Sequence, residues 1–162
     1  MNLRFFLILA MLLLSACSIN ENDLVKNLIL LHKDAWEKDD YKLLESILDE
    51  NLTFAYPGRV MGKQEALKDF SDYQKSFKDT KIYINRIVID GNDFAVEWQF
   101  ASTNIKTGNR TSVSDAIIGK AKGNKIVVWK EYLDGRVSRM QANGSLNLDE
   151  GLEPFPWPAK RN

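Results

Sequence analysis

The chain has 162 residues, 22 of them basic and 22 acidic, with one histidine and one cysteine. This length suits a single domain with one core, and the balanced charge, without lysine or arginine runs, argues against nucleic acid as a partner. One thiol cannot form a disulfide within the chain, and the sequence has neither metal-ligand spacing nor a glycine-rich phosphate or dinucleotide fingerprint. We therefore expect no metal and no cofactor.

The first residues have the order of a secretory signal. Arg4 precedes an apolar run at residues 5–14, and the small residues Ser15 and Ala16 stand directly before Cys17. A basic start, a short apolar core and a small-residue cleavage site are typical of such signals, and the run is too short for a stable membrane span. The Leu-Ser-Ala-Cys ending resembles the lipobox of bacterial lipoproteins, in which the cysteine thiol is alkylated with diacylglycerol and begins the mature chain.

This resemblance implies where the protein is held. Residues 1–16 would be the signal peptide and residues 17–22 a short lipidated tether, so that membrane lipid is a partner through acylated Cys17. Burial of acyl chains in the membrane contributes ~0.8 kcal/mol of binding free energy per CH₂, so several chains would anchor the protein permanently. The expected location is the cell envelope. Ser18 stands where an aspartate would signal inner-membrane retention, which favours the outer membrane in a Gram-negative host.

Three helices are predicted in the N-terminal half. Asn22 or Asp23 can cap the first helix, whose apolar stripe also carries His32. The stripe consists of Leu24, Val25, Leu28, Ile29, Ala35 and Trp36. Asp39-Asp40 interrupts it and caps a second helix, which would extend through Leu48. A third helix follows, with apolar residues at helical spacing across residues 66–77.

Strands are predicted after these helices. Residues 52–56 alternate like a short strand and end at a Pro-Gly turn. Beyond residue 80 the pattern is β at residues 81–90, 94–103, 111–121 and 125–133, with glycine-containing turns between them. Three helices followed by this meander predict an α+β fold, a cone-shaped roll whose curved antiparallel sheet wraps on the three N-terminal helices. The domain would span residues 23–134.

The C-terminal residues 135–162 are predicted to be an irregular tail. They contain Pro-Phe-Pro-Trp-Pro at residues 154–158, where proline disfavours both helices and strand ladders. Three roles remain open for this tail. It could cover a pocket mouth, pack on a partner subunit, or form a strap over exposed sheet.

Three local patterns resemble the SnoaL-like branch of the nuclear transport factor 2-like superfamily. They are LLESIL at residues 43–48 ahead of LTF at 52–54, GKQEA at 62–66, and KIVVWKEYLD at 125–134. The last string is similar to the Lys-Ile-x-x-Trp-Arg-Asp-Tyr-Phe-Asp segment of limonene epoxide hydrolases. The superfamily includes enzymes, binding modules and immunity or secretion factors, so the resemblance implies the fold more strongly than the chemistry.

The residues of the epoxide hydrolase mechanism are mostly replaced. The resemblance puts Glu131 at the position of the aspartate that activates water, so a carboxylate is kept there. Trp98 and Phe100 stand at the positions of its arginine and aspartate partners, and Phe54 and Tyr56 stand where tyrosine and asparagine hold the water. We therefore do not expect epoxide hydrolysis by that mechanism.

Ketosteroid isomerases offer a second comparison within the superfamily. Their general-base aspartate falls on Tyr56, their oxyanion-hole tyrosine on His32, and their second acid near Asp115. The isomerase mechanism needs a carboxylate beside the substrate carbon, and a tyrosine is too weak a base near neutral pH. The sequence therefore does not predict that mechanism either.

What remains is an aromatic-walled pocket. Residues on alternate positions of three strands share one face, and the hydrolase resemblance implies that these faces are concave. Asp115 and Glu131 would then lie in the pocket as a candidate catalytic acid and base. The candidate ligand-binding residues are His32, Trp36, Phe54, Tyr56, Trp98, Phe100, Val113 and Trp129.

The same residues also have structural interpretations. Backbone amides, or basic residues such as Arg86, Arg110 or Lys130, could satisfy Asp115 and Glu131, and the histidine and aromatic residues could simply form the core. Two functions stay open. One is binding of a small apolar or amphipathic molecule without turnover, and the other is cofactor-independent isomerase, cyclase or hydrolase chemistry that uses the two carboxylates.

A homodimer is also compatible with the resemblance. Proteins of this superfamily commonly dimerise through the outer face of the sheet. Strand alternation predicts that Ile126, Val128 and Tyr132 lie on that face.

Overall fold

A computed structural model describes residues 20–145 and 153–154, without the side chains of Val137 and Ser138. Its elements in chain order are α1 Glu21–Lys38, α2 Tyr41–Ile47, β1 Leu48–Tyr56, β2 Arg59–Met61, α3 Lys63–Gln74, β3 Phe77–Asp90, β4 Asp93–Asn104, β5 Arg110–Lys122, β6 Lys125–Leu133 and α4 Gly135–Ala142. The predicted signal, Cys17 and tail residues 155–162 lie outside the described residues. Within the described part, no helix is long and apolar enough to cross a membrane.

Side-chain caps set the limits of the first two helices. Asn20 caps α1 by accepting a hydrogen bond from the amide of Asn22, so the cap lies two residues before Asn22 and three before Asp23, the two predicted positions. Asp39 has a left-handed backbone (φ 55°) that ends α1, and Asp40 accepts from the amide of Leu43 to begin α2. The prediction that this Asp-Asp pair separates two helices is confirmed.

The α+β prediction is confirmed, with one change in the sheet. The six strands are ordered β2-β1-β6-β5-β4-β3, and the long strands pair antiparallel through short turns such as Gly91-Asn92. The pairing of β1 with β6 is parallel. Since α3 and β3–β5 separate these two strands along the chain, no local turn signal could reveal this pairing. The helices cover one face of the curved sheet, and the core lies between them.

Two predicted helices end earlier than expected. Leu48 is the first residue of β1, where it pairs with Ile126, and Phe77 is the first residue of β3. The ring of Phe77 stacks on Tyr73 with centroids 4.4 Å apart, so the apolar spacing of the helix continues past its end at Gln74. Apolar periodicity alone therefore placed both boundaries too late.

The predicted irregular tail begins with a helix instead. Asp134 caps α4 by accepting from the amide of Arg136, and the Gln141 side chain accepts from the amide of Ser112 at 2.6 Å. Strand β6 ends opposite Asp115, so this glutamine satisfies an amide of β5 that lies beyond the end of β6. A helix of eight residues that starts with glycine gives little sequence signal.

The position of Ile126 corrects a second expectation. Lys120 pairs with Val128 while the next residue, Ala121, pairs with Ile126, so β6 has one extra residue at this point. This bulge turns Ile126 into the core, where it is fully buried, and the prediction that it lies on the outer face is wrong. Tyr132 does lie exposed on the outer face, at 59%.

Gly119 is expected to be essential for packing at the centre of the sheet. It lies in β5 opposite Phe94, and a Cβ atom added there would be 2.1 Å from Cζ of that ring. Phe94 is buried, so its ring cannot swing away without disturbing the core. We expect Gly119→Ala to lower the free energy of unfolding by about 1–3 kcal/mol, measured by chemical denaturation.

Gly135→Ala is the matched control for this substitution. Its added Cβ would meet no atom within 4 Å, and the residue lies at the start of α4, where alanine is well tolerated. Equal losses of stability in the two variants would contradict the packing described for Gly119.

Candidate functional site

A cavity of about 390 Å³ opens on the concave face of the sheet. Six of the predicted ligand-binding residues line it, together with both predicted catalytic carboxylates. These eight are Trp36, Phe54, Tyr56, Trp98, Phe100, Val113, Asp115 and Glu131. The other lining residues are Met61, Ala66, Asp69, Tyr73, Phe77, Ser102, Thr111, Ser112, Leu133 and Gly135. The walls are mainly aromatic, and the volume is in the range of sites for small molecules.

Register brings the two carboxylates together at this cavity. Asp115 pairs with Leu133, and Ile117 pairs with Glu131, so the two acids are diagonal neighbours on one face of the β5–β6 pair. Diagonal neighbours in an antiparallel sheet lie roughly 7–8 Å apart at their backbones, within reach of one another's side chains. The cavity therefore contains a pair of acids from adjacent strands.

Neutral donors hold both carboxylates. Asp115 accepts from the indole Nε1 of Trp98 at 3.2 Å and from the amide of Tyr132 at 3.0 Å. Glu131 accepts from the indole Nε1 of Trp129 at 2.8 Å. Backbone and indole donors fix the orientation of the two acids, but they supply no positive charge.

Burial shapes the titration of this pair. Desolvation raises the pKa of Asp115 above its usual range, against the effect of its two hydrogen bonds. Desolvation also raises the pKa of Glu131, and the negative charge of Asp115 raises it further. Since each acid disfavours ionisation of the other, the second proton leaves the pair at a higher pH than the first.

We expect Glu131→Gln to stabilise the protein at high pH. Folding raises the pKa of this carboxyl, so its protonated form stabilises the folded state at pH values below the pKa of the unfolded chain. That stabilisation is lost as the pH rises through the pKa of the folded protein. Glutamine stays neutral and can still accept from Trp129. The variant should therefore match the wild type near pH 5 and exceed its free energy of unfolding by more than about 1 kcal/mol at pH 9, the energy of roughly one pKa unit.

Urea denaturation at the two pH values measures this difference. Glu97→Gln is the control, because Glu97 lies in β4 of the same sheet, accepts a hydrogen bond from Asn85 and does not line the cavity. A Glu131→Gln variant whose stability follows the wild-type pH dependence would contradict the raised pKa of Glu131.

The cavity also contains a cluster of polar side chains centred on Asp69 of α3. Sequence reasoning missed this cluster. The Asp69 carboxylate accepts from the hydroxyl of Tyr56 at 3.0 Å and from the guanidinium of Arg59 at 3.0 Å. No sequence motif marks Asp69, because a single aspartate beside the apolar stripe of a helix is usually solvent-exposed. One turn further along α3, Tyr73 shares a hydrogen bond with Ser102, and burial raises the pKa of Tyr73 to about 12.

Two of the predicted binding residues, His32 and Trp129, are not among the cavity-lining residues. His32 is buried, with its ring stacked on Trp129 at 3.9 Å and on Trp98 at 5.9 Å between centroids. Neither ring nitrogen has a hydrogen-bond partner among the described residues, and burial lowers the pKa of His32 to about 3. A neutral imidazole thus packs behind the tryptophans as part of the aromatic core.

Arg110, one of the basic residues that could have paired with the acids, is bound elsewhere. It makes an ion pair with Glu153 through two nitrogens and also donates to the carbonyl of Asp79 and to Thr103. Glu153 in turn accepts from Tyr83, which places this point of the tail on the outer face of the sheet. The cavity lining has no lysine, arginine or histidine among the described residues.

Comparison with protein families identifies the domain. The family model of the SnoaL-like domain matches residues 31–129, which is more than half of the chain. The chain belongs to the SnoaL-like family. The comparison with curated proteins finds no match.

Solved structures similar to this SnoaL-like domain support the fold. An LEH-like epoxide hydrolase of M. tuberculosis is 15% identical, with a TM-score of 0.66, and the match covers 78% of this chain and 96% of that one. IdmH of Streptomyces antibioticus, described as a candidate polyketide cyclase, is also 15% identical, with a TM-score of 0.66 and coverage of 74% and 98%.

A third structure was solved with a small molecule. It is a hypothetical protein of Catenulispora acidiphila with a ketosteroid isomerase-like fold, in complex with trimethylamine. It is 13% identical, with a TM-score of 0.66 and coverage of 75% and 97%. At these identities the similarity establishes the cone-shaped fold of the SnoaL-like domain, and its chemistry has to be read from its own cavity.

Proposed function

We propose that the protein is a lipid-anchored envelope protein whose SnoaL-like domain binds a small, largely apolar molecule in the concave cavity. The observation that carries this proposal is the cavity itself, which seven aromatic side chains line among the described residues. A mainly apolar cavity of this size favours an apolar molecule over water, because burial of apolar surface on both sides is favourable. The polar groups of Asp115 and Glu131 would orient that molecule.

The proposed anchor rests on the sequence ahead of the described residues. Cys17 precedes Asn20, the cap of the first helix, by three residues, so a lipid on its thiol would hold the folded domain within ~10 Å of the membrane surface. The signal architecture before Cys17 is the support for lipid attachment.

We expect Cys17→Ser to abolish lipid attachment. Without the thiol no thioether to diacylglycerol can form, so the precursor should keep its signal peptide, migrate at the higher precursor mass and fail to incorporate labelled palmitate. Ser18→Ala is the matched control and should be processed and labelled like the wild type. Unchanged processing and labelling of the Cys17→Ser protein would refute the anchor while leaving the cavity proposal intact.

Native mass spectrometry of the full chain purified from its own host tests the ligand proposal. We expect a mass excess under native conditions that disappears on denaturation, because a molecule held by apolar contacts is released when the cavity is lost. A native mass equal to that of the acylated chain alone would contradict a stably bound ligand.

A second candidate function is acid–base catalysis without a cofactor. The specific observation is that Asp115 and Glu131 open onto the same cavity, without a basic residue among the described lining. An ionised Asp115 and a protonated Glu131 could serve as base and acid on one substrate. Exchange of deuterium from D₂O into enolisable ketones, followed by NMR, tests this function. Wild-type exchange that is lost in Asp115→Asn would favour catalysis over binding alone.

A further inference from the structure

The ionisable side chains that line the cavity are all acids among the described residues. Asp115 from β5 and Glu131 from β6 are diagonal neighbours, Asp69 is contributed by α3, and the tyrosines Tyr56 and Tyr73 complete the set. Asp69 has a positive partner in Arg59, whereas no ion pair of Asp115 or Glu131 is found in the part of the chain that the structure describes. The Asp115–Glu131 pair is therefore the uncompensated negative end of the cavity.

The surroundings of this pair are unfavourable for a negative charge. Its donors are two indole N–H groups and one backbone amide, each of them neutral. A buried carboxylate is costly unless it meets a positive charge or many hydrogen bonds, and a second carboxylate beside it adds repulsion. A cation at this place would relieve both costs at once.

The walls beside the pair suit an organic cation. Trp98 lines the cavity next to Asp115, and Trp36 and Phe100 meet edge to face in the same wall with centroids 5.5 Å apart. Aromatic faces attract ammonium groups through their quadrupoles, most strongly where water is excluded. A compact, strongly hydrated metal ion would gain nothing from these walls, whereas the alkyl groups of an alkylated ammonium could pack against the aromatic side chains.

We propose that the ligand of this cavity is a hydrophobic cation, namely an amine or quaternary ammonium compound whose charged nitrogen lies against Asp115 and Glu131. This inference rests on the proposed function, and it restricts the ligand class of the same cavity. It disfavours fatty acids, phosphates and other anions, because their charge would face the carboxylate pair.

Binding of matched probes to the full chain in a nonionic detergent tests the proposal. The probes are benzyltrimethylammonium and its uncharged isostere neopentylbenzene, compared at equal free concentrations set by equilibrium dialysis. The readout is the ¹H–¹⁵N signals of the indoles of Trp98 and Trp129, which donate to the two carboxylates. At pH 9 we expect the cation to bind about tenfold more tightly than the isostere.

Variants and pH separate charge recognition from apolar contact. Glu131→Gln should reduce the preference for the cation at pH 9, and Glu97→Gln should leave it unchanged. Affinity for the cation should rise between pH 6 and pH 9, because the probe has no titrating proton and the pair gains negative charge over that range. The other ionisable groups at the cavity are Asp69, Arg59, Tyr56 and Tyr73. The hydrogen bond with Tyr56 raises the pKa of Arg59, and burial raises the pKa of Tyr73 to about 12, so neither of these two groups changes charge in that range.

The possible outcomes are distinct. Equal or weaker binding of the cation relative to the isostere would overturn the inference and leave apolar binding in place. Binding of neither probe would overturn the inference and also count against the proposed binding function. A cation preference that survives in both Glu131→Gln and Asp115→Asn would refute the assigned position of the charge.

Discussion

We expect the Val113→Trp variant to lose ligand binding while it keeps its fold. Val113 lies in β5 opposite Phe100, and its side chain faces the cavity between the aromatic walls. An indole at this position would occupy the space that a ligand needs, and it would fill an existing void rather than compress a packed core. Titration with the apolar fluorescent probe N-phenyl-1-naphthylamine measures binding, and circular dichroism checks the fold.

Ile118→Trp is the control on the same strand. Its side chain points to the outer face and is 50% exposed, so the added indole should extend into solvent and leave binding unchanged. Binding of the probe to Val113→Trp with wild-type affinity would show that the cavity is not the binding site. Equal losses in both variants would point to a general disturbance of the strand.

The largest effect on stability is expected for Trp129→Ala. Trp129 is fully buried in β6, stacks on His32, and lies 5.4 Å from Trp98 and 5.8 Å from Phe94 between ring centroids. Its removal leaves a void in the aromatic core and takes the indole donor from Glu131. We expect a loss of about 3–5 kcal/mol in the free energy of unfolding, a large part of the stability of a domain of this size.

Denaturation in urea measures this loss, and two further variants help to interpret it. Tyr132→Ala, three positions away on the exposed outer face, should change stability by less than about 0.5 kcal/mol. If Trp129→Ala fails to fold, Trp129→Phe should still fold with an intermediate loss, because it keeps an aromatic ring. A loss below about 1 kcal/mol for Trp129→Ala would contradict the packing of this core.

Much of the fold could be predicted because its signals are local. The Asp39-Asp40 break is a capping signal, and the turn at Gly91-Asn92 lies between two strands that pair residue by residue. The parallel β1–β6 pairing could not be predicted in this way, since contacts between distant segments leave no local pattern. The bulge beside Ile126 could not be predicted from local pattern either, because one extra residue in the strand changes which side chains face the core.

The site was predictable where strand alternation sets the direction of a side chain. Asp115, Glu131 and Trp98 share the concave face as their spacing indicates. His32 lies on the apolar stripe as expected, but it does not line the cavity because its ring packs against Trp98 and Trp129. Helical spacing alone does not show this packing. Asp69 was missed because helix packing, rather than its neighbours in sequence, brings it to the cavity.

Asp115 and Glu131 share one cavity and have no positive partner among the described residues. Titration of their carboxyl groups tests this arrangement most directly. The measurement is the pH dependence of the side-chain carboxyl ¹³C shifts in the ligand-free protein. We predict that these two carboxyls titrate above the usual values of about 3.9 and 4.3 for Asp and Glu, with mutually coupled curves. Two independent titrations at or below those usual values would contradict the site described for this protein.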